Sequence, residues 1–353
     1  MKIVILNDTH AGARNSSQIF IDYQRRFYEE VFFPYCDKHN IKKVLHLGDY
    51  YESRKHVNFK ALHENRKMFL DPLVSRGMTM DIIPGNHDVY HKNTNDLCAL
   101  KELLGYYTSN VNIHMHPTEI DYDGLKVALL PWITTENHQE VKDFISTTSA
   151  PILGAHLELQ GFEISRGIMH QHQGFLKPNA LSKFDQVLSG HFHIASEQGN
   201  IRYLGSQIEF TWNDHNDKKY FHVLDTETRE IEKVLNPIRM FEIIYYDDEV
   251  TDYTTESVER YKNKFIKVFV KNKTDPFIFD VFIDRITDIG VHDLKISETF
   301  VSDIENTVVA SNITDTGDLL NSYIDALDTQ LDRERVKNIV HTLYTNAQSL
   351  EIQ

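Results

Sequence analysis

Cysteine is almost missing: 353 residues contain two, Cys36 and Cys98, far apart and in no Cys-x-x-Cys spacing. That excludes a disulfide framework and a thiolate zinc knuckle, and it fits a reducing cytoplasm. Long apolar runs are missing too. The opening "MKIVILNDTH" turns polar at position 7, too short for a signal core or a membrane span, and reads as a buried first strand. No later segment approaches transmembrane length, so no membrane partner is expected. Positive charge is in deficit, with 37 Lys and Arg against 52 Asp and Glu and a formal net charge of −15. This balance argues against gripping nucleic acid by bulk electrostatics. It leaves room for a local basic patch, metal ions or a partner. Acidic ligands and an acidic tail inflate the count, since residues 301–353 hold nine Asp and Glu against three Lys and Arg. Repeats and low-complexity tracts are absent as well.

What is present is an ordinary globular composition, 41% hydrophobic and 25% charged, in a chain long enough for two or three domains. Short β-rich runs alternate with helical patterns in the first half. "KIVIL" (2–6), "KVLHL" (43–47) and "MTMDII" (78–83) read as strands. Helices are expected over 18–39, where Ile19, Phe20, Tyr23, Phe27 and Val31 fall at helical spacing, and over 58–76, which Gly77 can end. Further strands are expected at 126–131, 151–156, 186–190, 201–205 and 220–225, which suits a two-sheet α/β sandwich. "LNPIR" (235–239) looks like a boundary. A compact α+β unit follows, with strands "MFEIIYY", "KFIKVFV" and "DLKISETF", a helical "ESVERYKN" and an aromatic helix "DPFIFDVFIDRI". A polar stretch near 302–316 leads to two amphipathic helices, the first marked by Leu320, Tyr323, Leu327 and Leu331, the second by Val336, Ile339, Val340, Leu343, Tyr344 and Ala347.

The informative polar residues fall where strands end. "NDTH" follows the first strand with Asp8 and His10, and "LGDYYE" follows the second with Asp49. "PGNHD" follows the third with Asn86, His87 and Asp88. "GAHLE" supplies His156, and "SGHFH" supplies His191 and His193. Each cluster alone has a bland reading as a cap, a turn or a structural histidine. Five in succession converge on one sheet edge, where α/β folds place their sites. Oxygen and imidazole donors without thiolate suit a pair of divalent ions such as Mn²⁺, Fe²⁺ or Zn²⁺. Two such ions, ~3.5–4 Å apart, clamp the attacking and leaving oxygens of a phosphoryl transfer. Two ions bring four positive charges and Asp8 with Asp49 return two, leaving enough to hold a phosphodiester and a hydroxide.

The order D-x-H, G-D, G-N-H-D, H, G-H-x-H over residues 8–193 resembles the calcineurin-like metallophosphoesterase superfamily. Within it, "RYLGS" (202–206), the small α+β unit and the helical tail resemble SbcD-type DNA double-strand-break repair nuclease subunits and their phage recombination-endonuclease relatives. The resemblance implies a metallophosphoesterase sandwich over 1–237, a small α+β capping, DNA-binding domain over 238–300, and a linker with a helical ATPase-binding tail over 301–353. It implies Asp8, His10 and His193 as ligands of one metal, Asn86, His156 and His191 as ligands of the second, and Asp49 as the bridge. It places His87 against the substrate phosphate, helping the leaving group.

One departure concerns the residue three after the bridging aspartate. The repair nucleases often carry histidine there, and this chain has Glu52. Glu52 is therefore read as the partner of His87, holding it by charge proximity. The resemblance further implies manganese as the metal, double-stranded DNA ends as substrate, an SbcC-type ABC ATPase as partner, a homodimer, and a bacterial or phage-infected host cytoplasm. The dimer is expected through the helices at 58–76 and 96–107, with Leu62, Phe69, Leu97, Leu100, Leu103 and Leu104 as surplus apolar residues.

Arg14, Arg54 and Lys55, near the first two strand ends, are candidates for DNA phosphates. "HQHQ" (170–173) reads as a solvated loop, with substrate contact as the alternative, and the aromatics at 277–282 as core of the second unit rather than a base-stacking platform. A cytosolic phosphodiesterase or phosphatase acting on small nucleotides is the alternative, but it needs neither cap nor tail. A non-catalytic ATPase scaffold has no physical need for seven converging donors.

Overall fold

The computed structural model describes residues 1–165, 168–172, 174–297, 324 and 332–349. These fall into two compact units, Met1–Phe210 with Lys218–Ile238, and Thr211–Asp217 with the described residues from Arg239 on. Strands of the first unit are, in chain order, β1 Lys2–Leu6, β2 Lys43–His46, β3 Thr79–Ile82, β4 Val111–Ile113, β5 Thr118–Tyr122, β6 Leu125–Leu130 and β7 Ile152–His156. They continue as β8 Glu163–Ser165, β9 Ile168–Met169, β10 Gln186–Gly190, β11 Ser196–Gln198, β12 Ile201–Tyr203, β13 Tyr220–Asp225 and β14 Ile231–Leu235. One six-stranded sheet has the order β14-β13-β1-β2-β3-β4, the other β11-β12-β10-β7-β6-β5. The cores of both are parallel: β1 pairs with β2, β2 with β3, and β10 with β7, while β13, β14, β5 and β11 add antiparallel edges.

The run "KIVIL" is apolar at every position after Lys2 because β1 is covered on both faces. Ile3, Ile5, Leu45 and Leu47 meet Val127, Leu129, Ile152 and Leu188 between the sheets. The outer face of the second sheet packs Ala128, Leu130, Leu153 and Val187 on Val141 and Ile145 of the helix His138–Thr147. Full burial of each such Leu, Ile or Val stabilises the fold by roughly 1.5–3 kcal/mol. Parallel strands paired this way deliver their carboxyl ends to one edge, so β1, β2, β3, β7 and β10 all release chain into the same region.

The helix expected over 18–39 is present as Gln18–Arg26, Phe27–Phe32 and Phe33–Lys38, with a π-helical middle. That over 58–76 is Phe59–Asn65, Arg66–Leu70 and Asp71–Ser75, again π-helical in the middle. Asn58 caps its start by accepting the Lys60 amide at 2.8 Å, and Gly77 follows its end at φ +64°. Both wide turns lie where aromatic rings crowd, Phe32 and Phe69 with centroids 6.0 Å apart and Phe32 and Phe221 5.6 Å apart.

The helix expected over 96–107 shrinks to Ala99–Leu103 and a 3-10 turn Gly105–Tyr107. Its surplus apolar surface is also smaller than expected, because Phe69, Leu100 and Leu104 are core. The exposed apolar side chains over 58–76 and 96–107 are Phe59, Val74, Leu97 and Tyr106. His170, expected in a solvated loop, is buried, with its ring 5.4 Å from Phe192. Gln173 lies outside the described residues.

In the second unit, β15 Phe241–Asp247, β16 Phe265–Asn272 and β17 Asp293–Ser297 form a parallel sheet in that order. The helix Pro276–Asp288 starts at Asp275, whose carboxylate accepts the Phe277 and Ile278 amides, with Pro276 in its first turn. It buries Phe279, Phe282 and Ile286 against Ile244, Tyr246, Ile266 and Val268, so the aromatic run is core, apart from exposed Phe277. "ESVERYKN" makes a single 3-10 turn, Glu259–Tyr261, instead of the expected helix. The second tail helix is present as Arg333–Ser349. The polar stretch near 302–316 lies outside the described residues, as does the first tail helix apart from Ile324. Among the described residues, no helix is long and apolar enough to cross a membrane.

Candidate metal centre

Two glycines make room for the central carboxylate. A Cβ on Gly85 would fall 2.2 Å from Asp49 Oδ1, and one on Gly48, at φ +87°, would fall 2.7 Å from His156 Nδ1. The G-D and G-N pairs of the sequence therefore interlock. Asp88 locks them further: buried, it accepts the amides of Gly85 at 2.9 Å, Tyr50 at 3.0 Å and Tyr51 at 3.0 Å. The β2 and β3 loops thus share one carboxylate. Asp8, His10, Asp49 and His191 all hold left-handed backbone, at φ +46°, +46°, +53° and +93°. Each such position costs of order 1–3 kcal/mol, which the surrounding packing has to offset, and such strain collects at functional sites.

Donor atoms of Asp8, His10 and His193 lie within 4.8 Å of one another, and so do those of Asp49, His156 and His191. A third group joins His10, Asp49 and His87. His10 Nε2 is 3.0 Å from His193 Nε2 and 3.9 Å from Asp49 Oδ2. Asn86 Oδ1 is 3.0 Å from His156 Nε2 and 2.8 Å from His191 Nδ1. Asp8 accepts the His191 amide at 3.0 Å and the Asn7 side-chain amide at 2.6 Å. Asp49 also accepts the His87 amide at 2.8 Å.

The outer contacts of the histidines reveal what the inner atoms want. His156 Nδ1 is 2.7 Å from the Leu47 carbonyl, which can only accept, so the ring proton sits on Nδ1. In the neutral ring Nε2 then offers a lone pair, yet it faces two more acceptors, Asn86 Oδ1 and Asp49 Oδ2, the latter at 3.3 Å. Acceptors turned toward acceptors in a buried site call for a cation. His10 repeats the arrangement, with Nδ1 2.9 Å from the Glu52 carboxylate and Nε2 turned inward. An imidazole whose outer N–H meets a carboxylate or carbonyl is the usual metal-ligand geometry.

The titration behaviour carries the same demand. Burial pushes His10 down, but Glu52, Asp49 and Asp8 outweigh it and raise the ring to about 9. Burial likewise opposes charge on His156, and Asp49, Asp8 and the Leu47 carbonyl raise it to about 9. Burial pushes Asp49 up, while His156, His87 and His10 hold it well below the ordinary carboxylate range. His191 goes the other way, lowered by burial and by His156, and stays neutral. The residues present fit a pair of divalent cations.

Glu52 does not face His87 with its carboxylate. His87 Nδ1 donates to the main-chain carbonyl of Glu52 at 2.5 Å, and the carboxylate turns to His10 instead. One residue thus places two histidines. Arg14 is exposed and its Nε donates to the Phe210 carbonyl at 3.0 Å; Arg54 is half-buried and Lys55 exposed.

Sequence reasoning gave no role to Asp88, Phe210 or Trp132. Phe210 packs on His10 and His193 at 5.3 and 5.4 Å, and Trp132 on His156 and His191 at 5.8 and 5.3 Å. Asp88 had a signal in its place beside Asn86 and His87. The two rings had none.

A two-sheet sandwich with carboxylates and imidazoles gathered at its strand ends defines a metallophosphoesterase. The model of the calcineurin-like phosphoesterase family matches residues 1–195, and the chain belongs to that family, whose members use divalent metals. It is a metal-dependent phosphodiesterase. Exonuclease subunit 1 of Enterobacteria phage T4 is 32% identical over 358 residues, covering 98% of this chain and 99% of that protein. An SbcCD nuclease subunit of Staphylococcus epidermidis is 24% identical over 321 residues, covering 82% of this chain and 81% of its own. Among solved structures, one described as a novel archaeal phosphodiesterase aligns at a TM-score of 0.35 and 18% identity, over 67% of this chain and 100% of its own.

Proposed function

We propose that this protein is a manganese-dependent DNA nuclease that acts on double-stranded ends together with an SbcC-type ABC ATPase. One observation carries the reading: the donor atoms of Asp8, His10 and His193 form one cluster and those of Asp49, His156 and His191 another, with Asn86 Oδ1 beside both rings of the second. In this reading Asp8, His10 and His193 would hold one metal and Asn86, His156 and His191 the other, with Asp49 available to both. Donors without thiolate suit manganese. The pair of cations supplies Lewis-acid charge to the phosphoryl oxygens and lowers the pKa of water.

The chain's own groups do the rest. Water attacks phosphorus in line and releases a proton to solvent as the bond to the departing ester oxygen breaks. His87 gives that oxygen a proton from Nε2, while its Nδ1 stays bound to the Glu52 carbonyl and keeps the ring oriented. Glu52 orients His10 through its carboxylate and His87 through its main chain. Phe210 packs on His193 and Trp132 on His191, restricting both imidazoles. Arg14, Arg54 and Lys55 contact backbone phosphates.

Full-length similarity to a phage exonuclease subunit supports nucleic acid over a small nucleotide as substrate. The second unit serves as the DNA-binding cap. The tail serves the ATPase, supported by Ile339 and Leu343, 53% and 61% exposed, four residues apart on one helix face. Phe59 and Tyr106, both 88% exposed, support a homodimer, which sedimentation at micromolar concentration reads directly. A cytoplasmic location completes the reading.

The deciding experiment is cleavage of end-labelled duplex DNA with added Mn²⁺, run beside bis-p-nitrophenyl phosphate. Hydrolysis of both, abolished by chelation, is the expected result. Hydrolysis of the small ester with intact DNA would make this a small-molecule phosphodiesterase.

A further inference from the structure

In the second unit the helix Pro276–Asp288 packs on one face of the three-stranded sheet, through Ile244, Tyr246, Ile266 and Val268. Side chains alternate along a strand, so the other face carries Ile243 and Tyr245 from β15, Lys267 and Phe269 from β16, and Lys295 from β17. Strand register sets them in rows. Ile243, Lys267 and Lys295 stand opposite one another, and Tyr245, Phe269 and Ser297 form the next row. Among the described residues, Tyr245 and Lys295 of this face meet solvent, while Ile243, Lys267 and Phe269 are half-buried. Tyr245 is 43% exposed and the Lys295 side chain 65%.

Two features of this face are costly for folding alone. Tyr245 and Phe269 hold their rings 5.8 Å apart and within 21° of parallel, an aromatic pair left partly in water. Lys267 and Lys295 are directly opposed like charges, which destabilise a sheet. Burial first, and Lys295 second, hold the Lys267 ammonium below the ordinary lysine range. The lysines also address the rings: Lys271 Nζ is 5.0 Å from the Tyr245 centroid and Lys267 Nζ 4.2 Å from that of Trp212. Asp293 is the acid beside Lys295, at 3.8 Å between two exposed groups. In a chain of net charge −15, cations interleaved with aromatics mark a place for an anion with flat rings.

We propose that this face is a platform for single-stranded DNA, with bases stacked on Tyr245 and Phe269 and phosphates met by Lys267, Lys271 and Lys295. A duplex hides its base faces, and only unpaired bases can use exposed rings. A sheet of this width offers stacking for two or three bases, as other sheet platforms do. The choice of DNA over RNA rests on the nuclease reading; the platform itself rests on the side chains of this one face.

The test uses the full chain in EDTA, so that no strand is cut. Fluorescence anisotropy compares labelled oligo(dT) with a blunt duplex of equal length. The wild type is expected to prefer the single strand. Joint Tyr245→Ala and Phe269→Ala substitution should weaken oligo(dT) binding by ~10-fold or more, with Tyr245→Phe keeping the affinity. Lys267→Gln should lower the salt dependence by a slope of ~0.7. The same substitution should hold or raise the unfolding temperature, since it removes a like-charge pair, which a purely structural lysine would not do. Unchanged oligo(dT) binding in the double alanine variant overturns the proposal. So does a wild type that ignores oligo(dT), or one for which poly-glutamate competes equally. Wild-type binding lost in the variants, in a protein that hydrolyses no phosphodiester with Mn²⁺, would keep the platform and sink the nuclease reading.

Discussion

The Glu52 carboxylate lies 2.9 Å from His10 Nδ1 and holds that ring with its other nitrogen turned toward Asp49 and His193. Burial pushes this carboxyl up, and His10 first, then His87 and His193, bring it below its ordinary value. Glu52→Gln keeps the main-chain carbonyl that holds His87 and removes only the charge behind His10. Metal affinity should fall ~10–100-fold, the scale for an outer partner of a ligating histidine. Isothermal titration with Mn²⁺ measures this; unchanged affinity with slower turnover would instead tie the carboxylate to the leaving group.

Removing the shared carboxylate should be worse than removing a ligand on one side. Asp49→Ala is expected to lose both ions and all hydrolysis, whereas His193→Ala should leave one ion bound. Metal analysis of the purified variants distinguishes the two. Equal stoichiometry in both would refute a bridging Asp49.

His87 stands apart from this pattern because its Nδ1 is committed to the Glu52 carbonyl. His87→Ala should retain both metals and DNA affinity while hydrolysis falls ~10²–10⁴-fold. A drop in metal content would instead make His87 a ligand, as its nearness to His10 and Asp49 allows.

Acid sensitivity should trace in part to a histidine outside the metal centre. His222 in β13 is buried, and burial first, then Lys233 and Arg202, pushes its ring down to about 3 from 6.5. A group depressed in the folded state stabilises the fold above its unfolded value and loses that contribution as pH falls. The melting temperature should therefore decline from pH 6.5 toward pH 3, and His222→Asn should flatten that decline. Identical acid limbs in the two proteins would assign the effect to other groups.

The tail makes a separable prediction. Glutamate at both Ile339 and Leu343 should leave Mn²⁺-dependent hydrolysis intact and abolish co-purification with the ATPase. Retained association would move the partner surface off this helix.

The sandwich was legible because β1, β2, β3, β7 and β10 are built on short apolar runs that give way to polar signatures at or just after their ends. Glu52 was legible as a member of the site but not in its pairing. Spacing places the residue, while the rotamer depends on which imidazole the fold brings within reach. Two expected helices came out shorter: that over 96–107 keeps Ala99–Leu103 and a 3-10 turn, and that around Glu259 is a single 3-10 turn. In the first, Cys98 stands at the start in place of a capping hydroxyl, carboxylate or carboxamide. In the second, buried Tyr261 and left-handed Asn263 turn the chain toward β16 before a helix can propagate. Phe210 and Trp132 reach the site through tertiary packing, which no local pattern encodes.

Asp88 ties two ligand-bearing loops to one another. Its single carboxylate accepts amides from the loop that carries Asp49 and from the loop that carries Asn86, and burial followed by Asp49 raises it to about 6. Losing it would strand three buried amides, each costing ~1–3 kcal/mol, and release both loops together. One buried side chain that touches no candidate ligand position thus holds both ligand loops in register.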